Sequence, residues 1–316
     1  MVYYPSQMDK DYIIQLQALL KASGWSQQQL AQRLGVTHAA LSRWLNGHAV
    51  PQPRRRQAIA SLYKEEVGFQ PLSAVEHRRL ASRAQRLQMR GVWKKIRGNQ
   101  ELLNDLLLEH TYNSNAIEGS TLNKRQTEAI IFDKAKVPDK SLTEHLEATN
   151  HATVLRDILF ERYPARVSED LICQLHRALL QGIREDAGSY SKHQRAIRGV
   201  EIALTHPKDI PEEMDALMKR WQQHERRGYA VEPVAQFHSD FELIHPFGDG
   251  NGRVGRLVML IQLLKREYPP VIIENTRKAE YYEVLEFAQR KSVEPFTVFL
   301  VDELERTHGV LRRYLR

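Results

Sequence analysis

One run of twelve residues, His245-Pro246-Phe247-Gly248-Asp249-Gly250-Asn251-Gly252-Arg253-Val254-Gly255-Arg256, constrains this chain more than any other. Apolar segments flank it, Phe241 to Ile244 before and Val254 to Leu264 after. The polar run therefore reads as a tight loop between two buried helices. Pro246 disfavours helix at His245 and so ends the first of them. Gly248, Gly250 and Gly252 permit positive φ, which lets successive N–H groups turn inward as an anion nest. The second helix begins near Gly252, and its positive end attracts phosphate. Arg253 and Arg256 share one face of its first turns. Two cations at a helix N-terminus oppose the macrodipole, an arrangement that makes sense with a bound polyanion.

The residue types point to phosphoryl chemistry. An imidazole titrates near neutral pH, so His245 can take a proton from an attacking hydroxyl. Asp249 is a hard oxygen ligand of the kind that holds Mg²⁺ together with phosphate oxygens. Asn251 can add a side-chain donor to the nest. Taken singly, each of these is an ordinary turn residue; the full set in this order is not.

The run resembles the signature of the Fic (Fic/Doc) family, H-P-F-x-[D/E]-G-N-[G/K]-R-x-x-R, with every defined position matched. The resemblance extends over roughly residues 100 to 305. It implies an all-α core with a short β-hairpin flap. It also implies an enzyme, a protein adenylyltransferase that moves AMP from ATP to a Ser, Thr or Tyr hydroxyl of a target protein, with Mg²⁺ as cofactor. By that resemblance His245 is the general base and Asp249 holds the metal. Gly248, Gly250, Asn251 and Gly252 line the nucleotide's anion site. Arg253 and Arg256 grip the phosphates, Arg256 the γ-phosphate, and Phe247 anchors the loop in the core.

Upstream, Ser114-Asn115-Ala116-Ile117-Glu118-Gly119 matches the family's inhibitory motif. Leu102, Leu103, Leu106 and Leu107 have helical spacing, which puts Ser114 and Glu118 on one helix face and lets Gly119 end that helix. A Glu118 carboxylate aimed at the second arginine would form a charge-assisted pair where the γ-phosphate binds. The same carboxylate could instead position water and help remove AMP from a modified protein; both directions stay open at this point.

Val200 to Thr205 alternates as a short strand, closed by His206-Pro207 and Ile210-Pro211. In the Fic fold this region is the flap, whose edge pairs with the target's extended segment. The family's G-x-Y-R is here Gly188-Ser189-Tyr190-Ser191; Lys192 or Arg195 could replace the missing arginine. Tyr281 and Tyr282 open a later helix where similar chains place one ring near the adenine, with core packing as the rival role. Asn150 reads as a buried polar brace.

Charge divides the chain. Residues 1–100 hold 16 Lys and Arg against 5 Asp and Glu, whereas residues 101–316 hold 30 against 34. The basic partner surface therefore belongs to the N-terminal part. There, Ser26 caps a helix from Gln27 to Leu34, Gly35 ends it, and Thr37 caps another from His38 to Leu45. Leu30, Leu34, Val36, Leu41 and Leu45 can close a small core. The stretch resembles the phage-repressor-like class of helix-turn-helix. That implies DNA in contact with Thr37, His38, Ala39 and Arg43, with Ser42 and Asn46 adding contacts and Arg54, Arg55 and Arg56 at phosphates. A paired operator implies a homodimer. A protein-docking bundle is the alternative for this part, and a nucleotide-sensing transcriptional regulator is the alternative for the whole.

The expected organisation is a helix-turn-helix domain over 1–68, a basic linker helix over 69–99 and a catalytic domain over 100–316, mostly α throughout. No apolar run reaches membrane length, and no signal peptide is read before the first helix. The single Cys173 cannot form an internal disulfide, which fits a reducing, cytoplasmic setting.

Overall fold

The structure, a computed structural model, describes residues 11–69, 71–163, 166–195, 203–228 and 230–314. Its described residues are mostly helical, without a strand. The chain divides into two compact units, Met1–Leu72 and Ser73–Arg316.

The first unit contains α1 (Asp11–Ser23), α2 (Gln27–Arg33), α3 (His38–Leu45) and α4 (Pro53–Glu66). The caps read from the sequence form. Ser26 and Gln29 make a reciprocal capping box at the start of α2, and Thr37 accepts from Ala40 N–H at the start of α3. Each satisfies donors that a helix start leaves open. The core is Leu16, Leu19, Leu30, Leu34, Leu41, Trp44 and Ile59, with Val36 and Leu45 partly buried against it. Tyr12 donates its hydroxyl hydrogen bond to the Ala49 carbonyl, tying α1 to the chain after α3. His38, Ala39 and Arg43 remain exposed on α3.

In the second unit, residues 73–99 differ from the expected single linker helix. They form α5 (Ala74–Arg86) and α6 (Val92–Arg97), broken where Gly91 takes a left-handed conformation. Both pack within the unit. Arg83 reaches Asp302 and Glu305 on α15 (Glu294–Tyr314), and Trp93 donates to the Leu264 carbonyl. The basic side chains of this segment thus serve partly in intramolecular pairing.

The remaining helices are α7 (Gln100–Ile117), α8 (Lys124–Asp133), α9 (Leu142–Leu159), α10 (Glu169–Leu179), α11 (Ile210–Arg227), α12 (Val231–Ile244), α13 (Asn251–Lys265) and α14 (Lys278–Arg290). Nearly every residue of α13 from Asn251 to Leu264 is buried, so α13 is the axis of the unit. Helices α7, α10 and α12 pack around it. Asn150 on α9 donates to the Leu179 and Gln181 carbonyls, closing the C-terminal end of α10 as the expected brace.

Most of the expected flap strand, Val200, Glu201 and Ile202, lies outside the described residues. Ala203 to Thr205 carries no strand pairing. Thr205 meets the end of α12 through its N–H to the Leu243 carbonyl at 3.5 Å.

Leu41 is fully buried in the first unit. Leu41→Ala should cost about 2–5 kcal/mol. In urea denaturation the transition of the first unit should move to lower urea while that of the second stays in place.

Candidate active site

Helix α12 ends at His245, which adopts a left-handed conformation with φ 51° and ψ 60°. That turn aims the ring back over the helix end. Its Nδ1 faces the Glu242 carbonyl at 3.3 Å, so Nδ1 carries the hydrogen and Nε2 is free to accept a proton. Burial lowers the imidazole's pKa, partly opposed by that carbonyl, which keeps the ring neutral near pH 7. A neutral, buried imidazole with an open Nε2 is competent as a general base.

The loop from Pro246 to Gly250 is held rigid from inside. Asn251 Oδ1 accepts from the Phe247 N–H at 2.9 Å, and Asn251 Nδ2 donates to the Phe247 carbonyl at 2.9 Å. This corrects one expectation: the Asn251 amide braces the loop and does not line an anion site with its side chain. Phe247 is fully buried and stacks on His176, with ring centroids 3.8 Å apart. His176 Nδ1 accepts from Gly188 N–H at 2.7 Å, so its Nε2 carries the hydrogen and donates to the Asp249 carbonyl at 3.0 Å. Burial holds this imidazole neutral, titrating at about 4. No sequence motif singles out His176; its helical spacing reads only as core.

Gly250 caps α13 in a left-handed conformation with φ 77°. Asp249 stays half exposed; its Oδ1 accepts from Gly250 N–H and from Arg253 Nη2. Arg253 is buried and donates chiefly to Glu147 of α9 at 2.6 Å. Glu147, too, escapes sequence reading, because a lone acid on an amphipathic helix usually faces solvent.

Arg256 is the most deeply committed charge. Its guanidinium is 3% exposed. Nε donates to Ser114 Oγ at 3.0 Å, and Nη2 donates to the Ser114 carbonyl and to Glu118 Oε1, each at 2.8 Å. Nη1 is buried without a hydrogen-bond partner. Three imidazoles stay neutral around it, His110 and His238 through burial first and the guanidinium's field second, His151 through burial, then His110, then the guanidinium.

Glu118 forms the C-cap of α7, and Gly119 follows with φ 100°. The Glu118 carboxylate lies directly over Gly252: a Cβ there would collide with Glu118 Oε1. An anion therefore already occupies the start of α13, between its N-terminal N–H groups and Arg256. Breaking such a buried pair without a replacement anion costs about 3–5 kcal/mol.

The two tyrosines separate. Tyr281 is 1% exposed and its hydroxyl meets His238 Nε2 at 2.7 Å. It is a core residue, a correction to its expected place beside a base. Tyr282 is partly buried and remains available to a flat ligand. Arg195, one of the two residues that could replace the missing arginine, donates through Nη2 to the Thr205 carbonyl and reaches the Ile244 carbonyl at 3.5 Å. In the first unit, Arg55 donates to the Leu34 carbonyl and so caps α2, a role beyond the expected phosphate contact.

Residues 166–263 match the Fic/DOC family, and residues 16–69 match the helix-turn-helix family. The chain is 32% identical over 209 residues to a protein named Protein adenylyltransferase Fic from Culex quinquefasciatus, covering 63% of this chain and 40% of that protein. It is 29% identical over 265 residues to the protein of the same name from Drosophila willistoni, covering 81% and 51%. The chain thus spans about half or less of these curated relatives. A Fic-domain signaling protein from Bacteroides thetaiotaomicron superposes with a TM-score of 0.61 at 25% identity, covering 74% of this chain and 95% of that one. Fic-1 from C. elegans shares the fold at 22% identity, with a TM-score of 0.64 over 91% of this chain and 86% of that one.

Acid should loosen the second unit. An unperturbed imidazole titrates near 6.5, whereas folded His110 and His238 titrate at about 3 and His176 at about 4. Between those values the unfolded chain binds more protons, so stability falls as pH drops from about 6.5 toward 4. Glu242 and Glu303, raised by burial to about 8 and about 7, act oppositely: their contribution is full below about 4.5 and is lost as pH rises through those values. His110→Phe should flatten the acid limb by about one proton, read from the pH dependence of the urea midpoint.

Proposed function

We propose that this chain, which carries a Fic/DOC domain and a helix-turn-helix domain, is a self-inhibited protein adenylyltransferase with a DNA-binding regulatory part. It would move AMP from ATP to a Ser, Thr or Tyr hydroxyl of a target protein. One observation carries this reading. A carboxylate, Glu118, occupies the anion seat made by the start of α13 and Arg256, in the same site as a neutral His245. The seat suits a phosphate, and the unpartnered Arg256 Nη1 has a hydrogen bond left for one.

In the proposed reaction His245 Nε2 takes the hydroxyl proton while Arg256 and Arg253 hold the phosphates. Gly248, Gly250, Asn251 and Gly252 would offer backbone N–H groups, and Tyr282 a face for adenine. Asp249 fits a magnesium ligand, since its carboxylate is half exposed and its Oδ2 takes no hydrogen bond among the described residues. A single carboxylate plus phosphate oxygens is a usual magnesium set. Mg²⁺ would neutralise charge on the phosphates when bound. The flap remains part of the proposal, aligning the target's segment by edge pairing.

Ser114, Glu118 and Gly119 form the proposed inhibitory element. Removal of AMP is a second reading, favoured by the partial exposure of the Glu118 side chain, 29%, which leaves it able to reach water.

With labelled ATP, Glu118→Gly should raise label transfer to protein by about 10²-fold, the equivalent of losing a buried pair of about 3 kcal/mol. His245→Ala should lower it by about 10²–10⁴-fold. Chelation of Mg²⁺, or Asp249→Ala, should abolish transfer. ATP binding with no label transfer in any variant would favour a nucleotide sensor. Release of AMP from labelled protein that needs Glu118 would favour the reverse reaction.

The exposed face of α3 and its N-cap, with Thr37, His38, Ala39 and Arg43, supports docking in a DNA major groove, and a paired operator would call for a homodimer. Among the described residues no helix is long and apolar enough to cross a membrane. The proposed setting is the cytoplasm, which the single Cys173 and a DNA partner would fit. DNA affinity should fall steeply with salt, and Arg43→Ala should weaken it by about 1–3 kcal/mol if it reads a base; salt-insensitive binding would count against a DNA partner.

A further inference from the structure

One turn before His245, α12 carries another carboxylic acid, Glu242. Its side chain is 7% exposed, and Oε2 lies 3.7 Å from His245 Nδ1. Oε1 is buried without a hydrogen-bond partner. It packs over Gly255, where a Cβ would come within 2.8 Å of it. A glycine on α13 thus makes room for a carboxyl that its surroundings do not satisfy, beside the ring nitrogen opposite the proton-accepting one. A buried polar group without a partner is costly, so its position calls for a role.

We propose that Glu242 is a positioning residue that tunes His245 by charge: as a neutral acid it leaves the imidazole a weak base, and as a carboxylate 3.7 Å from the Nδ1–H, which the Glu242 backbone carbonyl accepts, it strengthens that base by its field. The proposal rests on the adenylyl-transfer reading for its consequence in turnover. In that step the target O–H bond breaks and its proton goes to His245 Nε2. The oxygen's electron pair forms the bond to the α-phosphorus, and the bond to pyrophosphate breaks with its pair on the leaving oxygen. The imidazolium so formed keeps Nδ1–H directed at Glu242, where a carboxylate stabilises it.

The groups facing Glu242 decide when it ionises. Glu118 approaches from the end of α7, Arg256 from α13, Tyr281 and Tyr282 from α14, and His238 and His245 lie on α12 itself. Burial first and the Glu118 anion second hold Glu242 up at about 8, with Arg256 pulling the other way. An anion at the Arg256 seat has this effect whether it is the Glu118 carboxylate or a phosphate. Glu242 is therefore neutral at pH 7 with the seat filled, and the base strengthens as pH rises through about 8.

The test reads the His245 ring by NMR between pH 5 and 10 in the full chain, which requires no turnover. The ring shift should show a second inflection near 8, set by Glu242. That inflection should move to lower pH in Glu118→Gly and vanish in Glu242→Gln. Glutamine has the shape of the neutral acid, so the fold should be kept; Glu242→Asp, which retains an acid, should restore an inflection and guards against a purely steric effect. In the Glu118→Gly chain, kcat for AMP transfer should rise about tenfold in alkali, the rise should be lost with Glu242→Gln, and KM for ATP should stay within about twofold. A ring titration identical with and without the Glu242 carboxyl overturns the proposal. Absence of AMP transfer with the inflection present would instead overturn the functional reading alone.

Discussion

The buried guanidinium of Arg256 governs this architecture. A cation sealed among α7, α12 and α13 is unfavourable unless an anion sits against it. Ser114 supplies a hydroxyl and a carbonyl, but neither carries full charge. The seat therefore attracts an anion, and Glu118 fills it. The neutral imidazoles around it add no competing charge, which leaves the field of Arg256 directed at that single seat. Phosphate and carboxylate both fit the demand, so the proposed binding of a nucleotide and the proposed restraint on its use would draw on the same electrostatic fact.

That field is useful only if the loop beside it holds its shape. The loop's rigidity comes from groups that never face the seat. Asn251 closes a two-bond clamp on Phe247, and His176 stacks on the same ring while bonding to the Asp249 carbonyl and Gly188 N–H. These contacts fix where α13 starts and hence where its N–H groups point. Preorganisation of this kind avoids rearranging the backbone when charge develops.

Much of this is legible in the sequence. Caps announce helix starts through local chemistry, so Ser26, Thr37 and Gly119 stand where the chain's own residues require them. Glu118, Ser114 and Arg256 were legible because two motifs in one chain imply a single meeting point. Residues whose role depends on distant partners were not. Glu147 finds Arg253 across 106 positions and His176 finds Asp249 across 73, and neither spacing has a periodicity to reveal it. Asn251 illustrates competition: an amide in a loop can face a ligand or its own backbone, and the buried Phe247 peptide decided the matter. Tyr281 went to the core because His238 offered its hydroxyl a buried partner. The basic segment over 69–99 reads as a linker because the acids its Arg83 pairs with, Asp302 and Glu305, lie at the far end of the chain.

The absence of a side chain at Gly252 has an evolutionary corollary. Any larger residue there would evict the Glu118 carboxylate, yet it would equally obstruct a phosphate entering the same space. On the proposed reading, a lineage seeking constitutive activity would not obtain it by mutating this glycine. Under the proposed self-inhibited reading, escape from restraint would have to come from the α7 side, at Ser114 or Glu118, so brake and engine could be inherited separately only in one direction.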